Sequence, residues 1–372
     1  MFRHTIPLGR ISGTVVELDY SWFLVFGLFT WIFAVAYYPA EFKNWSRGEY
    51  WLMGALTAIM LFVSVLLHEL GHAAVAKRFG ISVPRITLFA FGGVSQIAAE
   101  PTNAATEFWI AIAGPAVSFA LAAISWELRP VFANVPPLLA LTKYLALLNL
   151  GLGAFNLIPA FPLDGGRVFR AIIWKITGNF QRATAIAALT GRFFGFLLVF
   201  LGVWQVLAGN FLNGLWISFI GWFLESAAAS QVQQQKMKDL LAGHKVSEMM
   251  SQDCTRISGD LTLPELVDKH VLGAGHRCFV VNRGDETIGL VTLSEIKKVP
   301  RSSWSTTNIA QIMIPSDKLT STPANADAWT TIESMGQNGI NQLPVVKDNK
   351  IIGVLSRDDL VHYLGILQSL PA

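Results

Sequence analysis

The sequence predicts a polytopic α-helical membrane protein joined to a soluble C-terminal α/β domain. Of the 372 residues, 52% are hydrophobic and only 14% are charged, whereas soluble domains carry roughly 25% charged residues. The charge is also uneven, with 24 charged side chains in residues 1–230 and 29 in the 142 residues that follow. These observations exclude a wholly soluble chain and a disordered one, and they divide the sequence into a membrane part and a soluble part.

Net charge and cysteine content set further bounds. The net charge of +3 is small and dispersed, so no nucleic-acid partner is expected. The two cysteines, Cys254 and Cys278, suggest no disulfide framework, and we expect them to be unpaired in a reducing compartment. The first apolar run lacks a small-residue cleavage site, so it is interpreted as a membrane span and not as a removable signal peptide.

Charge-free runs of membrane length predict about six transmembrane helices, since a span needs about 20 mostly apolar residues. The uncharged stretch from Phe193 to Leu224 is too long for one helix, and Gly209-Asn210 is interpreted as the turn that divides it. The predicted spans cover residues 20–40, 51–67, 108–126, 138–161, 183–208 and 211–228.

The distribution of basic residues predicts the orientation. Six spans place both termini on one side of the membrane, and the segments on that side carry nine Lys and Arg residues against three on the other side. Positive residues favour the cytoplasm. We therefore expect cytoplasmic termini and an integral, multi-pass protein of the cell membrane.

The strongest motif is His68-Glu69-Leu70-Gly71-His72, at the end of the second span. Residues four apart share a helix face, so both imidazoles can bind one metal ion, and Glu69 can act as general base on a metal-bound water. Ionisable residues inside a span are costly and usually functional. The pattern therefore predicts a catalytic zinc ion.

A catalytic zinc site needs three protein ligands and an open position for water. Asp164 follows the fourth span, on the same side of the membrane as His68, and it is the preferred third ligand. Glu100 and Glu107 lie on that side too and remain alternatives. Asp19 and Glu127 are less suited, and Glu225 is a further acidic candidate in the apolar part of the chain. Asp164 could instead be a turn residue before Gly165-Gly166.

Residues 81–98 predict a β-hairpin around Gly92-Gly93 at membrane depth. Because open strand edges do not face lipid, the hairpin should line a cavity of the protein. Its edge, including Gly92 and Gly93, can bind an unwound substrate segment by strand addition. A simple interfacial loop is the alternative.

These motifs resemble the site-2 protease family of intramembrane zinc metalloproteases. The resemblance covers residues 1–228 and rests on HELGH at 68–72, Ala113-Gly114-Pro115, and Asn156-Leu-Ile-Pro-Ala-Phe-Pro-Leu-Asp-Gly-Gly-Arg167. It implies that His68, His72 and Asp164 bind zinc, that Glu69 activates water, and that the hairpin is re-entrant. It further implies that Asn156 contacts substrate or the transition state, although Asn156 could simply satisfy helix backbone.

Residues 231–245 are polar and are interpreted as a linker or exposed helix, and an internal repeat follows. Val246-Ser-Glu-Met-Met250 is echoed 63 positions later, and Gly289–Ile296 is echoed 64 positions later. Each copy is too small to bury a core alone, so the copies, about 246–300 and 309–370, should pack together. The predicted domains are thus 1–230, 231–245 and 246–372.

The repeat resembles a tandem pair of cystathionine-β-synthase (CBS) domains. The resemblance implies that ATP or another adenine nucleotide binds between the repeats, held by a Ser or Thr and an Asp three residues later. Ser356 and Asp359 match this pattern, whereas the first repeat has Thr292 with Glu295 in place of the aspartate. A pair of CBS domains without a ligand is the alternative.

The sequence therefore predicts a zinc metalloendopeptidase that cleaves membrane-embedded protein substrates and is regulated by its CBS pair. A CBS-regulated transporter or channel is a rival interpretation, but it requires polar residues scattered along a conduction path. A zinc-binding membrane scaffold without catalysis is another. Partners are expected to be a membrane protein substrate, the lipid bilayer and an adenine nucleotide, and a homo-oligomer is left open.

Overall fold

The computed structural model describes residues 5–90, 92–252, 254–276, 278–284, 286–316, 319–348 and 350–369. The ends of the predicted domains, residues 1–4 and 370–372, lie outside this set. The chain forms two compact units, which divide between Gln234 and Gln235.

Five helical segments of the first unit are long and apolar enough to cross a membrane. The first combines α1 (Ser21–Ile32), one π-helical turn (Phe33–Tyr37) and α2 (Tyr38–Glu41). The second segment, α3 (Arg47–Arg78), is the longest, and its N-cap residue is Ser46. The side chains of Ser46 and Glu49 each accept a hydrogen bond from the backbone N–H group of the other residue. The other segments are α4 (Ala104–Glu127), α5 (Pro136–Asn156) and α7 (Phe180–Leu207). A shorter helix, α6 (Asp164–Thr177), lies between α5 and α7.

The sixth predicted span coincides with the first part of α8 (Phe211–Leu241), which is not among the five described helices of membrane type. Asn213 and Glu225 lower the hydropathy of this part of the helix. The Glu225 carboxylate accepts a hydrogen bond from Arg192 of α7 at 3.0 Å, which explains how a charged residue fits inside the fifth predicted span. The predicted linker is also helical up to Leu241.

The predicted hairpin is present, but it belongs to a larger sheet that sequence analysis missed. Strands β3 (Arg85–Phe89) and β4 (Gly92–Gln96) pair antiparallel. An N-terminal hairpin, β1 (Thr5–Ile11) and β2 (Thr14–Asp19), extends the sheet through parallel pairing of β2 with β3, which gives the order β1-β2-β3-β4. Strand β4 is therefore an edge of this sheet.

The second unit has one three-stranded and one four-stranded sheet. Each sheet contains both parallel and antiparallel strand pairs, and short helices connect the strands. Each repeat contains one pair of neighbouring strands that forms an antiparallel ladder. The first repeat contains α9 (Val246–Met249), β5 (Cys254–Ser258), α10 (Leu263–Glu265), β6 (Cys278–Arg283), β7 (Glu286–Thr292) and α11 (Leu293–Lys297). The second contains α12 (Ile309–Ile312), β8 (Ile314–Pro315), β9 (Thr322–Pro323), α13 (Ala328–Gln337), β10 (Gln342–Lys347), β11 (Lys350–Ser356) and α14 (Arg357–Ser369).

The two repeats exchange their first segments. Val246 and Met249 of the first repeat lie in the hydrophobic core of the second, and Ile309 of the second lies in the core of the first. The pairing is reciprocal too, because β8 joins the sheet of the first repeat and Ser251 bridges to Val354 in the second. Neither repeat therefore completes its core alone.

The expectation of unpaired cysteines is wrong for this structure. Cys254 on β5 lies opposite Cys278 on the parallel strand β6, with their Cα atoms 5.0 Å apart, and the two form a disulfide. The register of β5 and β6 brings the two cysteines together, whereas their separation of 24 residues in the sequence does not indicate a disulfide. The cysteines thus do not support a reducing compartment.

Candidate metal centre

Helix α3 positions two imidazoles on one face. His68 and His72 lie one turn apart, and both are buried, with exposed fractions of 4% and 5%. Their Nε2 atoms are 3.2 Å apart. Because the backbone of a helix satisfies its own hydrogen bonds, α3 can carry these side chains into an apolar bundle without exposing peptide groups.

Asp164 comes from a different helix, and its side chain lies beside the two imidazoles. It occupies the first turn of α6, and its Oδ2 lies 3.0 Å from Nε2 of His68 and 3.2 Å from Nε2 of His72. A carboxylate oxygen at this position can ligate the same metal ion as the two imidazoles.

Among the residues that the structure describes, these are the three acidic, His or Cys side chains grouped closely enough to hold a metal ion. The alternatives weighed from the sequence lie elsewhere. Glu107 is fully buried and pairs with Arg170, Asp19 accepts hydrogen bonds from Ser21, and Glu225 pairs with Arg192.

The ligand atoms fit a zinc ion. Zinc binds imidazole nitrogen and carboxylate oxygen at about 2.0–2.1 Å in a tetrahedron, and two such ligands are then about 3.3 Å apart. The three observed separations, 3.0–3.2 Å, are close to this value. Two neutral imidazoles and one carboxylate are also a typical catalytic zinc set, which leaves the fourth position for water.

Helix α4 orients both imidazoles. Nδ1 of His72 donates to the carbonyl oxygen of Ile110 at 2.7 Å, and Nδ1 of His68 lies 2.8 Å from the Ser118 hydroxyl. A proton on each Nδ1 leaves each Nε2 with its lone pair toward the metal position, as is common around metal-bound histidines.

Gly114 lies on the same stripe of α4, four residues from both Ile110 and Ser118. A Cβ atom added at Gly114 would lie within 3.0 Å of both Nε2 atoms. The absence of a side chain therefore makes room for the imidazoles, and any larger residue here would displace them.

Glu69 lies beside the cluster and contacts the hairpin. Its Oε2 accepts a hydrogen bond from the Ser95 hydroxyl at 2.5 Å, and its side chain packs against Gly93. Because Glu69 is adjacent in sequence to His68, its carboxylate could accept a proton from a water molecule held by bound zinc and return it to a leaving group.

A buried ion pair fixes α6, and hence Asp164, against α4. Arg170 donates to Glu107 through Nε at 2.7 Å and through Nη2, and its guanidinium lies over the rings of Phe161 and Phe180. Losing one partner of such a pair leaves an uncompensated buried charge, at a cost of about 3–5 kcal/mol. The pair is therefore a structural support for the site.

The three sequence-predicted substrate residues are not part of the metal cluster. Asn156 ends α5, and its side-chain amide donates to Leu152 of the same helix at 2.9 Å. Gly92 begins β4 with a positive φ of 125°, and Gly93 lies against Glu69.

The predicted nucleotide residues lie at equivalent places in the two CBS repeats. Thr292 ends β7 and donates to Glu295, and Ser356 ends β11 and donates to Asp359 at 2.6–2.8 Å. A cleft of about 340 Å³ opens beside the first of these places. Its lining comes from both repeats and includes Thr292, Glu295, Lys298, Asn341 and Gln342, while Ser356 and Asp359 are not part of it.

Membrane-type helices around two imidazoles, a carboxylate and an adjacent glutamate define a membrane-embedded zinc hydrolase. The comparisons with known proteins agree. The family model for peptidase family M50 matches residues 56–135 and 130–199, and the CBS domain model matches residues 246–302 and 309–366.

Relatives are similar over nearly the whole chain. A Mycobacterium tuberculosis protein, named as the zinc metalloprotease Rip3, is 35% identical over 98% of this chain and 94% of its own length. A Synechocystis protein, also named as a zinc metalloprotease, is 32% identical over 97% of this chain and 96% of its own. A solved site-2 protease from Methanocaldococcus jannaschii is 32% identical and covers 62% of this chain and 95% of its own, with a TM-score of 0.43.

The chain therefore belongs to peptidase family M50, the site-2 protease family, and it is a zinc metalloprotease with a C-terminal pair of CBS domains.

Proposed function

We propose that the protein is an intramembrane protease that cleaves peptide bonds of membrane-embedded substrate proteins. One observation carries the proposal: ligand atoms of His68, His72 and Asp164 lie within 3.2 Å of one another. Both histidines and Glu69 are on α3, a helix of membrane type. In this proposal the three residues hold one zinc ion and Glu69 is the general base.

Zinc bound at this site supplies a water molecule with a pKa near 7 and polarises the carbonyl group of the substrate. Glu69 accepts the proton of the attacking water and then delivers a proton to the leaving nitrogen. The Ile110 carbonyl, which can only accept, fixes the tautomer of His72, and the Ser118 hydroxyl holds the orientation of the His68 ring.

The substrate must present an extended segment, because a helical peptide bond is shielded by its own hydrogen bonds. Strand β4 is an edge of its sheet, and Gly93 of this strand lies directly against Glu69. We propose that an unwound substrate segment adds to this edge, with Asn156 near the fourth span contacting the substrate.

The second unit is proposed to bind ATP or another adenine nucleotide and to regulate cleavage. The cleft beside Thr292 is lined by both repeats and has a volume of about 340 Å³, within the usual range for small-molecule sites. Lys298 can donate a hydrogen bond to a ligand there, and a bound ligand would replace Glu295 as the acceptor of the Thr292 hydroxyl. Ser356 with Asp359 forms the equivalent position of the second repeat.

The first test is co-expression with single-span regulatory membrane proteins, in which cleavage is followed by immunoblotting. Wild type should cleave a substrate that Glu69→Gln leaves intact, because the glutamine cannot accept the proton, while the zinc content of Glu69→Gln stays equal to wild type. His68→Ala and Asp164→Asn should lower both zinc content and cleavage. Cleavage that persists in Glu69→Gln would contradict the proposal.

A second test is titration calorimetry of the purified full chain with ATP, ADP and AMP. At least one nucleotide should bind, and Thr292→Ala should weaken binding by about tenfold or more through loss of a hydrogen bond to a charged ligand. Exposed Thr306 is the matched control, and Thr306→Ala should bind normally. No binding by any of the three nucleotides, or unchanged affinity in Thr292→Ala, would contradict a nucleotide site in this cleft.

The third test concerns orientation. We propose that the protein lies in the cell membrane with both termini in the cytoplasm, which requires α8 to cross the membrane as the sixth span. A fluorescent reporter that folds only in the cytoplasm should fluoresce when fused to the C-terminus and also when fused to the N-terminus. Fluorescence at one terminus only would mean an odd number of crossings and would overturn this topology.

A further inference from the structure

Glu69 needs an orienting partner. A glutamate side chain has three rotatable bonds, and a general base must lie within hydrogen-bond reach of the proton it accepts. The Ser95 hydroxyl, 2.5 Å from Oε2 of Glu69, supplies a hydrogen bond to this carboxylate. Among the described residues, Ser95 is the hydrogen-bond partner found for the Glu69 side chain. The other carboxylate oxygen, Oε1, can then accept a proton from water.

The face of β4 that carries Ser95 covers the Glu69 side chain. Side chains alternate along a strand, so residues 93 and 95 share one face. A Cβ atom at Gly93 would overlap Cγ of Glu69 and would lie 3.1 Å from its Oε1. Gly93 thus makes room for the glutamate, and Ser95 fixes one of its oxygens.

The position of Ser95 is itself fixed by the sheet. Ser95 lies opposite Ile86 of β3, which is fully buried, and β3 is anchored in turn by parallel pairing with β2. On its other side β4 is an edge. The strand that offers its edge to substrate therefore also holds the general base.

We propose that Ser95 is a positioning residue that orients Glu69 and links it to the strand that receives substrate; this rests on the proposed function. Misplacing a reacting group by about 1 Å can cost about a hundredfold in rate. Losing the Ser95 hydroxyl should therefore lower turnover, while substrate binding, which uses the backbone of β4, remains.

The test compares Ser95→Ala, Ser95→Thr and Ser302→Ala on the substrate that wild type cleaves and Glu69→Gln does not. Ser95→Ala should lower kcat by at least about tenfold with KM within about twofold, and its zinc content and melting temperature should equal those of wild type. Ser95→Thr keeps the hydroxyl and should retain kcat within about threefold. Ser302 is an exposed serine of the second unit, and Ser302→Ala should behave as wild type.

Wild-type kcat in Ser95→Ala would overturn the role of Ser95, and so would a rise in KM with unchanged kcat, which would indicate a substrate contact. An equal loss of kcat in Ser95→Ala and Ser95→Thr would overturn it too, because the hydroxyl would then not be the cause. Failure of the proposed function is a separate result, namely cleavage that does not depend on Glu69 in any assay.

Discussion

The structure depends on keeping two imidazoles and a carboxylate together inside an apolar helix bundle. An unsatisfied polar group in such surroundings costs several kcal/mol, so each must have a partner. Helix α4 supplies two of these partners, the Ile110 carbonyl and the Ser118 hydroxyl, on either side of Gly114. The bare surface at Gly114 allows the helices to approach closely, and the buried pair of Arg170 and Glu107 holds α6 in place.

Sequence could predict the metal cluster because its information is local. The spacing of His68 and His72 has meaning on any helix. The side of the membrane on which its segment emerges made Asp164 the preferred third ligand, but it left Glu100 and Glu107 as alternatives. Ser118 and Ser95 could not be predicted in this way. Serine is common, and its importance here comes from which helix faces α3 and which strand covers Glu69. Gly114 belongs to the motif Ala113-Gly114-Pro115, but only the structure shows that it lies against the two imidazoles.

Helix positions followed from charge-free runs, whereas the errors came from non-local contacts. The larger sheet was missed because β2 of the N-terminal hairpin finds its partner β3 about 70 residues away. The exchange of first segments between the CBS repeats and the pairing of Cys254 with Cys278 are likewise products of strand register. In α8, two polar residues, Asn213 and Glu225, lower the hydropathy of a long apolar run, so this helix is not among those of clear membrane type.

X-ray absorption at the zinc edge of the purified full chain tests the central claim most directly. The account predicts one zinc per chain, with nitrogen and oxygen ligands at about 2.0 Å and the multiple-scattering pattern of two imidazoles. Sulfur ligands at about 2.3 Å, or a spectrum unchanged when both His68 and His72 are replaced by alanine, would contradict it.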